Sequence, residues 1–294
     1  MTSLPPATPD RPRADGDFDP RAIPVRDAAT VMLVRDGAAG VEVFMLRRTL
    51  SAVFASGMYV FPGGAVDDAD RTAEVGAYCD GLTDDEASRQ LEVASGGLAY
   101  WIAAIRECFE EAGVLLARRP DGEAVRFDDA EVEERYLTHR AAVHAGERRL
   151  VELCTLEGLR LSTDDIHYVS HWITPIGERR RFDTRFFLAR APQAQEPLHD
   201  DHETIASLWV RPVAALAQAE RGELAMIAPT TKNLELLLPY DTADAALSAL
   251  GARGRPPTIR PKLRRDSDGR IEVVLPDDAG FEGLPELDGR PRED

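Results

Sequence analysis

The chain has 294 residues, 44% of them hydrophobic, and its formal net charge is −17 at pH 7. Such a charge would repel the phosphate backbone of a nucleic acid and the surface of an anionic membrane, so the composition argues against both as partners. The three cysteines are widely spaced and form no C-x-x-C pair, which argues against a disulfide framework and favours a reducing compartment, the cytoplasm.

The distribution of residue types predicts one elaborated domain between two tails. Residues 1–24 are rich in Pro, Asp and Arg and lack the apolar core of a signal peptide, so a disordered tail is expected there. No apolar run approaches the roughly 18 residues that cross a membrane. The folded domain is expected over 25–275 and a flexible acidic tail over 276–294.

The domain is predicted to begin with a β-hairpin. Apolar and β-branched residues fill 28–35 and 41–47, with two glycines in the connection. Arg47 and Arg48 end the second strand and face the approach to a glycine turn. Arginines in that place can clamp phosphate oxygens, and a solvated strand end is the alternative interpretation.

The glycine turn follows in the words Phe61-Pro62-Gly63-Gly64. Glycines allow the backbone N–H groups of such a turn to come close to a site and to brace a neighbouring helix. A short helix is expected at 84–91, because three acidic residues at its start suit the helix dipole. Its role is interpreted as a lid or a surface elaboration.

Three carboxylates, Glu107, Glu110 and Glu111, are grouped on one predicted helix. At about 100° per residue they fall on one side of the helix, and the opposite side carries Ile102, Ile105, Phe109 and Ala112. Like charges at these spacings cost an isolated helix about 0.2 to 0.5 kcal/mol per pair, and Arg106 offsets only one pair. Grouped carboxylates suit a hard divalent cation that bridges to substrate phosphates; a solvated acidic face is the alternative.

Residues 106–114, RECFEEAGV, resemble the second half of the Nudix box at every defined position, Arg-Glu-apolar-X-Glu-Glu-X-Gly-apolar. Gly64 matches the glycine of the first half, and Asp70 stands where the first glutamate is expected. From Asp70 to Arg106 is 36 positions where the family pattern has 8, so residues about 71–98 form an insertion that splits the box. The insertion and the later segments WITP, RRFDTRFF and WV resemble the corresponding sequences of the coenzyme A diphosphatase branch of the Nudix hydrolases.

This resemblance implies an α/β/α sandwich with a mixed sheet, an insertion within the box and extra C-terminal helices. It implies hydrolysis of the diphosphate bond in a nucleoside diphosphate linked to another group, with coenzyme A or acyl-coenzyme A favoured and Mg²⁺ or Mn²⁺ as cofactor. The implied metal ligands are Glu107, Glu110 and Glu111. Arg106 would orient a carboxylate, and Glu203 would be a further metal ligand or the base; a surface role is the alternative for Glu203.

The remaining elements are predicted from their periodicity and turn residues. Two helices are expected between Phe127 and Leu159, and the histidines there, His139 and His144, are interpreted as structural. Zinc is not expected at His199 and His202, because no third His or Cys follows. Further strands are expected at 166–173, 182–188 and 205–210, helices at 213–219, 231–238 and 244–250, and a terminal hairpin at 258–264 and 270–275.

Substrate choice is expected to depend on segments outside the box. Arg181 and Arg185 are candidates for binding the phosphates or an adenosine 3′-phosphate, with charge compensation of nearby acids as the alternative. The arginines that precede the glycine turn in better-defined coenzyme A diphosphatases are replaced by Thr49 and Val53. ADP-ribose, NADH and a non-catalytic ligand sensor therefore stay open as alternatives, as does a homodimer.

Overall fold

The computed structural model describes residues 19–52, 55–200, 202–265 and 271–285. Several predicted features lie outside these ranges: most of the N-terminal tail, Val53, the turn of the terminal hairpin and the end of the C-terminal tail. Within the described residues the helices are α1 (Ala73–Gly76), α2 (Asp84–Leu91), α3 (Leu98–Ala112), α4 (Ala130–His144), α5 (Leu150–Glu157), α6 (Pro212–Glu220), α7 (Ala228–Leu237) and α8 (Ala243–Gly251).

The strands of the same ranges form one large sheet and two small ones. They are β1 (Val25–Gly37), β2 (Gly40–Arg48), β3 (Tyr59–Val60), β4 (Gly63–Ala65), β5 (Ala117–Arg118), β6 (Arg160–Leu161), β7 (Ile166–Ile173), β8 (Arg181–Arg190), β9 (Thr204–Val210), β10 (Thr258–Ile259), β11 (Lys262–Arg265) and β12 (Ile271–Val274). The main order is β10-β7-β8-β1-β2-β3, with β4 also paired to β1 and β9 to β2.

Strand β1 is the centre of the large sheet. It runs parallel to β8 over ten residue pairs, from Val25 opposite Arg181 to Val34 opposite Arg190, and antiparallel to both β2 and β4. The sheet is therefore mixed, as predicted. The pairing with β4 sets Ala29 opposite Gly64, so the glycine turn lies against the middle of the sheet.

Two apolar layers cover the faces of the sheet, because successive side chains of a strand point to opposite sides. Ala29, Val31 and Leu33 of β1 belong to the core that contains helix α3, whereas Met32 and Val34 belong to the core under helices α6, α7 and α8. The predicted α/β/α sandwich with extra C-terminal helices is confirmed.

The segment between Asp70 and α3 packs against the start of α3. Val75, Ala87 and Leu91 are buried in the same core as that helix. The Asp84 carboxylate accepts hydrogen bonds from the backbone N–H groups of Gly96 at 2.9 Å and Leu98 at 3.0 Å. An acidic cap at a helix N-terminus satisfies otherwise unpaired donors and interacts favourably with the helix dipole.

The C-terminal strands differ from the expected hairpin. Thr258 and Ile259 pair in parallel with β7, and only residues from Lys262 onward pair with β12. Pro261 separates the two pieces. Because proline has no backbone N–H, it interrupts a continuous ladder at this point.

Gln195 ties the segment leading to β9 to the end of α3. Its side chain, 4% exposed, accepts from the Leu115 N–H at 2.8 Å and donates to the carbonyls of Leu115 at 3.0 Å and Val125 at 2.9 Å. The Leu115 N–H and the Val125 carbonyl thus depend on this amide, whereas the Leu115 carbonyl also accepts from the Ala117 N–H at 3.0 Å.

We expect the substitution Gln195→Met to lower the free energy of unfolding by about 2 to 4 kcal/mol, because it preserves length but leaves the Leu115 N–H and the Val125 carbonyl unpaired. Urea unfolding followed by circular dichroism measures the change. The control is Gln193→Met, at an exposed position of the same segment, which should leave the midpoint nearly unchanged. Equal stability of the two variants would contradict the role assigned to Gln195.

Candidate active site

Helix α3 carries the three glutamates in its last two turns and is buried on nearly every side. Glu107 and Glu110 are the only partly exposed residues between Leu98 and Ala112, and Glu111 is 4% exposed. The carboxylates therefore do not form a solvated helix face. Their grouping inside the protein has to be explained by a partner for the charge.

Arg106 connects the glutamates to the turn after β4. Its Nε and Nη2 donate to the Asp70 carboxylate at 2.9 to 3.3 Å, and Nη1 donates to Glu107 Oε1 at 2.8 Å and to Glu110 Oε1 at 3.1 Å. Nη2 also donates to the Ala65 carbonyl at 2.8 Å. Asp70 is 3% exposed and binds the Nε and Nη2 edge of the guanidinium, whereas the glutamates bind Nη1. Asp70 precedes the insertion and Arg106 follows it, so this ion pair joins the two ends of the insertion.

The glycine turn contacts the other carboxylates. The Gly63 N–H donates to Glu111 Oε2 at 2.9 Å. At Gly64 a Cβ atom would lie 2.5 Å from Glu107 Oε1, which is far inside van der Waals contact. A side chain at this position would displace the Glu107 carboxylate, so glycine leaves room for that carboxylate in its contact with Arg106.

Burial is the main electrostatic effect at the three glutamates. It raises the pKa of Glu107 and the pKa of Glu110, while the nearby Arg106 guanidinium acts in the opposite direction. Burial also raises the pKa of Glu111 well above its ordinary value, helped by the charge of Glu107 and opposed by the Gly63 N–H. The cluster is short of positive charge, since Arg106 is shared among several carboxylates.

The C-terminal end of α3 is held by an arginine that the sequence reasoning missed. Arg140 of α4 donates through Nε to the Glu110 carbonyl at 2.9 Å and through Nη2 to the carbonyls of Glu111 at 2.9 Å and Leu198 at 3.0 Å. Helix C-termini leave carbonyls unpaired, and a cation there satisfies them. Gly113 ends the helix with φ of 70°, and a Cβ atom at this position would lie 3.0 Å from Nη1 of the same guanidinium.

Glu203 reaches the cluster through Arg48. Arg48 Nη2 lies 3.2 Å from Glu203 Oε2, and its Nη1 lies 3.7 Å from Glu111 Oε1. The loop before β9 is shaped by Asp200, whose carboxylate accepts from the N–H groups of Glu203 at 3.1 Å and Thr204 at 2.9 Å. Strand β9 pairs with β2, which brings Arg48 opposite Thr204 and so sets Glu203 beside the end of β2.

The other predicted arginines do not contact the glutamates in this structure. Arg47 donates through Nε to the Gly57 carbonyl at 3.2 Å, and Arg181 donates to the Thr174 carbonyl at 3.2 Å. Arg185 is 4% exposed and is engaged by Asp183 and His171. These contacts correspond to the charge-compensation alternative for Arg185.

Two histidines stand at the rim of the cluster: His144, which was interpreted from the sequence as structural, and His202, where only zinc binding was considered and not expected. His144 Nδ1 of α4 lies 3.8 Å from Glu110 Oε2, and its ring stacks on that of His202 with centroids 5.6 Å apart. The signal in the sequence was the four-residue spacing of Arg140 and His144. That spacing places both side chains on one face of α4.

The donor chemistry of the glutamates fits Mg²⁺ or Mn²⁺. Within the described ranges, no three or more His, Cys, Asp or Glu side chains are already grouped so as to hold a metal ion. Arg106 or Gly63 binds one oxygen of each glutamate, and the second oxygens of Glu107, Glu110 and Glu111 make no hydrogen bond to another described residue. Carboxylate oxygens that accept no hydrogen bond are ligands suited to a hard cation.

Two cavities lie elsewhere and include none of the glutamates. One, of about 410 Å³, opens between the insertion and residues 251–255, with Trp101 and His167 in its lining. The other, of about 210 Å³, is lined by Arg35 and Trp209 among others. Neither of these two cavities includes the acidic cluster around Arg106, which we call the cleft below.

The NUDT19 Nudix domain family model matches residues 80–237, more than half of the chain, and the matched range contains all three glutamates. The chain belongs to this branch of the Nudix family, and the resemblance read from the split box is confirmed. The matching range starts after Asp70 and the glycine turn. The structure connects both to the matched helix, through the hydrogen bonds of Arg106 with Asp70 and of Gly63 with Glu111.

Relatives and a solved structure agree with this membership. The human protein named acyl-coenzyme A diphosphatase NUDT19 is 31% identical over 207 residues, which cover 60% of this chain and 55% of that protein. The chain thus spans about half the length of the human relative. The chicken protein of the same name is 29% identical over 72% of this chain and 68% of its own length.

A crystal structure of a Nudix hydrolase from Alicyclobacillus acidocaldarius is similar to this fold. The TM-score is 0.65 at 29% sequence identity, covering 79% of this chain and 99% of the other. In the part of the chain that the structure describes, no helix has the length and apolar character needed to cross a membrane.

We expect Asp70→Asn to lower the free energy of unfolding by about 2 to 4 kcal/mol, because Arg106 would lose a buried anionic partner while staying buried. Chemical denaturation measures the loss. Asp68→Asn is the matched control: it removes the same charge from an exposed position in the same turn. If both variants unfold at the same denaturant concentration, Asp70 does not stabilise Arg106.

A second expectation concerns the cation itself. Mg²⁺ or Mn²⁺ should raise the melting temperature, because binding to the folded state alone stabilises it and relieves the repulsion between buried carboxylates. Thermal unfolding with EDTA, Mg²⁺ and Mn²⁺ measures the shift. The shift should shrink in Glu107→Gln. An identical shift in that variant would exclude Glu107 from the cation site.

Proposed function

We propose that this chain is a Nudix pyrophosphatase that hydrolyses the diphosphate bond of a nucleoside diphosphate linked to another group, with coenzyme A or acyl-coenzyme A as the favoured substrate. The observation that supports this most directly is the set of three buried carboxylates gathered around Arg106 and the glycine turn. The names of the human and chicken relatives support the choice of substrate. Residues 25–275 are the domain that we assign to this activity.

Glu107, Glu110 and Glu111 would hold Mg²⁺ or Mn²⁺ through their second oxygens. The bound cation would neutralise charge on the diphosphate and lower the pKa of a water molecule. Arg106 orients Glu107 and Glu110 through its Nη1 and is too occupied with carboxylates to bind substrate. The Gly63 N–H fixes Glu111 in the same way.

Arg48 is the basic side chain that we assign to the diphosphate. It is adjacent to both Glu111 and Glu203, and its Nε is buried without a hydrogen-bond partner among the described residues. We assign to Glu203, whose side chain is 52% exposed and pairs with Arg48, the role of accepting the proton of the attacking water. Water adds to one phosphorus, the bridging P–O bond breaks, and the leaving phosphate takes the electron pair.

With coenzyme A this reaction would release 4′-phosphopantetheine and adenosine 3′,5′-bisphosphate. No covalent intermediate on a protein side chain is needed, since the attacking group is water. We also propose Arg181 and Arg185 for recognition of the nucleotide. With the contacts described above, they would contribute by holding strand β8 in place. All three cysteines are free and buried, which supports a reducing compartment such as the cytoplasm.

Glu110→Gln should lower turnover by orders of magnitude, because the change removes a ligand charge while preserving the size of the side chain. Release of adenosine 3′,5′-bisphosphate in Mg²⁺ and in Mn²⁺ measures the rate. Glu133→Gln, at an exposed position on α4, is the control and should act like the unsubstituted chain. Unchanged turnover in Glu110→Gln would remove Glu110 from the site.

A substrate panel tests the choice of nucleotide. We expect coenzyme A and acyl-coenzyme A to give higher kcat/KM than ADP-ribose or NADH at equal metal concentration. A preference for ADP-ribose or NADH would change the substrate and keep the reaction. Saturable binding of any of them without product, in both metals, would instead indicate a ligand sensor.

A further inference from the structure

His144 and His202 form a ring pair that joins two distant segments at the mouth of the acidic cluster. The rings are stacked, with centroids 5.6 Å apart and planes inclined by 19°. His144 ends helix α4, and His202 lies in the loop before β9. The pair therefore closes one side of the cleft with side chains from two walls.

The pair lies on the Glu110 side, and Glu203 lies on the Glu111 side. His144 Nδ1 is 3.8 Å from Glu110 Oε2. Asp200 Oδ1 accepts from the N–H of His202 at 3.0 Å, and the same carboxylate holds the N–H of Glu203. The same turn thus carries His202, which stacks on His144 beside Glu110, and Glu203, which pairs with Arg48 beside Glu111.

The environment of the pair differs from that of a structural histidine in the same helix. His139 is buried, and its ring nitrogens contact Glu157 Oε1 at 2.9 Å and Arg148 Nη1 at 2.5 Å. By contrast, the ring nitrogens of His144 and His202 make no hydrogen bond to another described residue, and both side chains reach solvent. Fold stability alone does not explain their position.

Two arginines near this side of the cleft are already engaged by other described residues. Arg106 is used by Asp70, Glu107 and Glu110, and Arg140 donates to backbone carbonyls. An anionic diphosphate needs hydrogen-bond donors wherever its oxygens are not covered by cations. An imidazole N–H is such a donor, and a stacked pair holds its rings in a fixed orientation.

We propose that His144 and His202 are substrate-binding residues that donate hydrogen bonds to phosphoryl oxygens of the diphosphate on the Glu110 side of the cleft. This inference rests on the proposed function, because it takes a nucleoside diphosphate as the ligand. It assigns substrate binding to two residues that lie outside the Nudix box. It also assigns one phosphoryl group to the Glu110 side of the cleft.

The probe is α,β-methylene ADP, a nucleoside diphosphate whose central linkage cannot be hydrolysed, titrated calorimetrically in Mg²⁺. His144→Phe and His202→Phe, which keep a ring for the stack but remove both ring nitrogens, should each weaken its Kd about tenfold, as expected for the loss of a hydrogen bond to a charged group. His139→Phe is the control from the same helix and should leave Kd unchanged. Melting temperatures of all variants check that each chain is folded.

A steady-state measurement gives the second readout. With coenzyme A, the two rim variants should raise KM by a similar factor and change kcat less, because the contact is made in the bound substrate. A structural role would instead lower the melting temperature and leave Kd and KM unaltered. That pattern would overturn the inference.

Other outcomes separate this inference from the proposed function. Weaker Mn²⁺ binding in the His144 variant without the analogue, together with an unchanged Kd for the analogue, would make His144 a metal ligand and overturn the inference. If both variants bind the analogue more weakly but the unsubstituted chain hydrolyses no member of the substrate panel, the proposed reaction is refuted and the inference about the two histidines is supported. No binding of the analogue to the unsubstituted chain would overturn the inference.

Discussion

The arrangement of Arg106 among carboxylates is the constraint on which the rest of the site depends. One guanidinium donates to Asp70, Glu107 and Glu110, so a single positive charge faces three negative ones in a buried place. Removing charges from water is costly, and shared hydrogen bonds recover only part of that cost. The fold accepts this imbalance because other parts of the chain fix the carboxylates, and the imbalance is what makes a divalent cation a favourable addition.

The long insertion is compatible with this arrangement because both of its ends are anchored near the site. Asp70 lies in a short helical turn right after β4, and β4 is held by the central strand β1. At the other end, Asp84 caps the start of α3. The 36 positions from Asp70 to Arg106 therefore do not separate the two halves of the box in space, and loop-closure entropy rises only slowly with added length.

Periodicity in the sequence predicted the parts of the fold that depend on local burial. The glutamates and the apolar residues of α3 follow a helical repeat, and strand β7 has the predicted bounds 166–173. Features that depend on contacts between distant segments could not be predicted from periodicity. Arg185 carried the same charge signal as Arg48, yet strand pairing buries Arg185 next to His171 and leaves Arg48 at the cleft.

The arginines around α3 are already bound to groups of the protein, and this determines the electrostatics of the cleft. Arg106 is occupied by carboxylates, Arg140 by the helix carbonyls and Arg48 in part by Glu111 and Glu203. The Gly63 N–H is also used, by Glu111. In a chain of net charge −17, the proposed binding of an anionic diphosphate would therefore depend on added metal and on hydrogen-bond donors at the rim. On this proposal, the residues at the mouth of the cleft, rather than those of the box, would recognise the substrate.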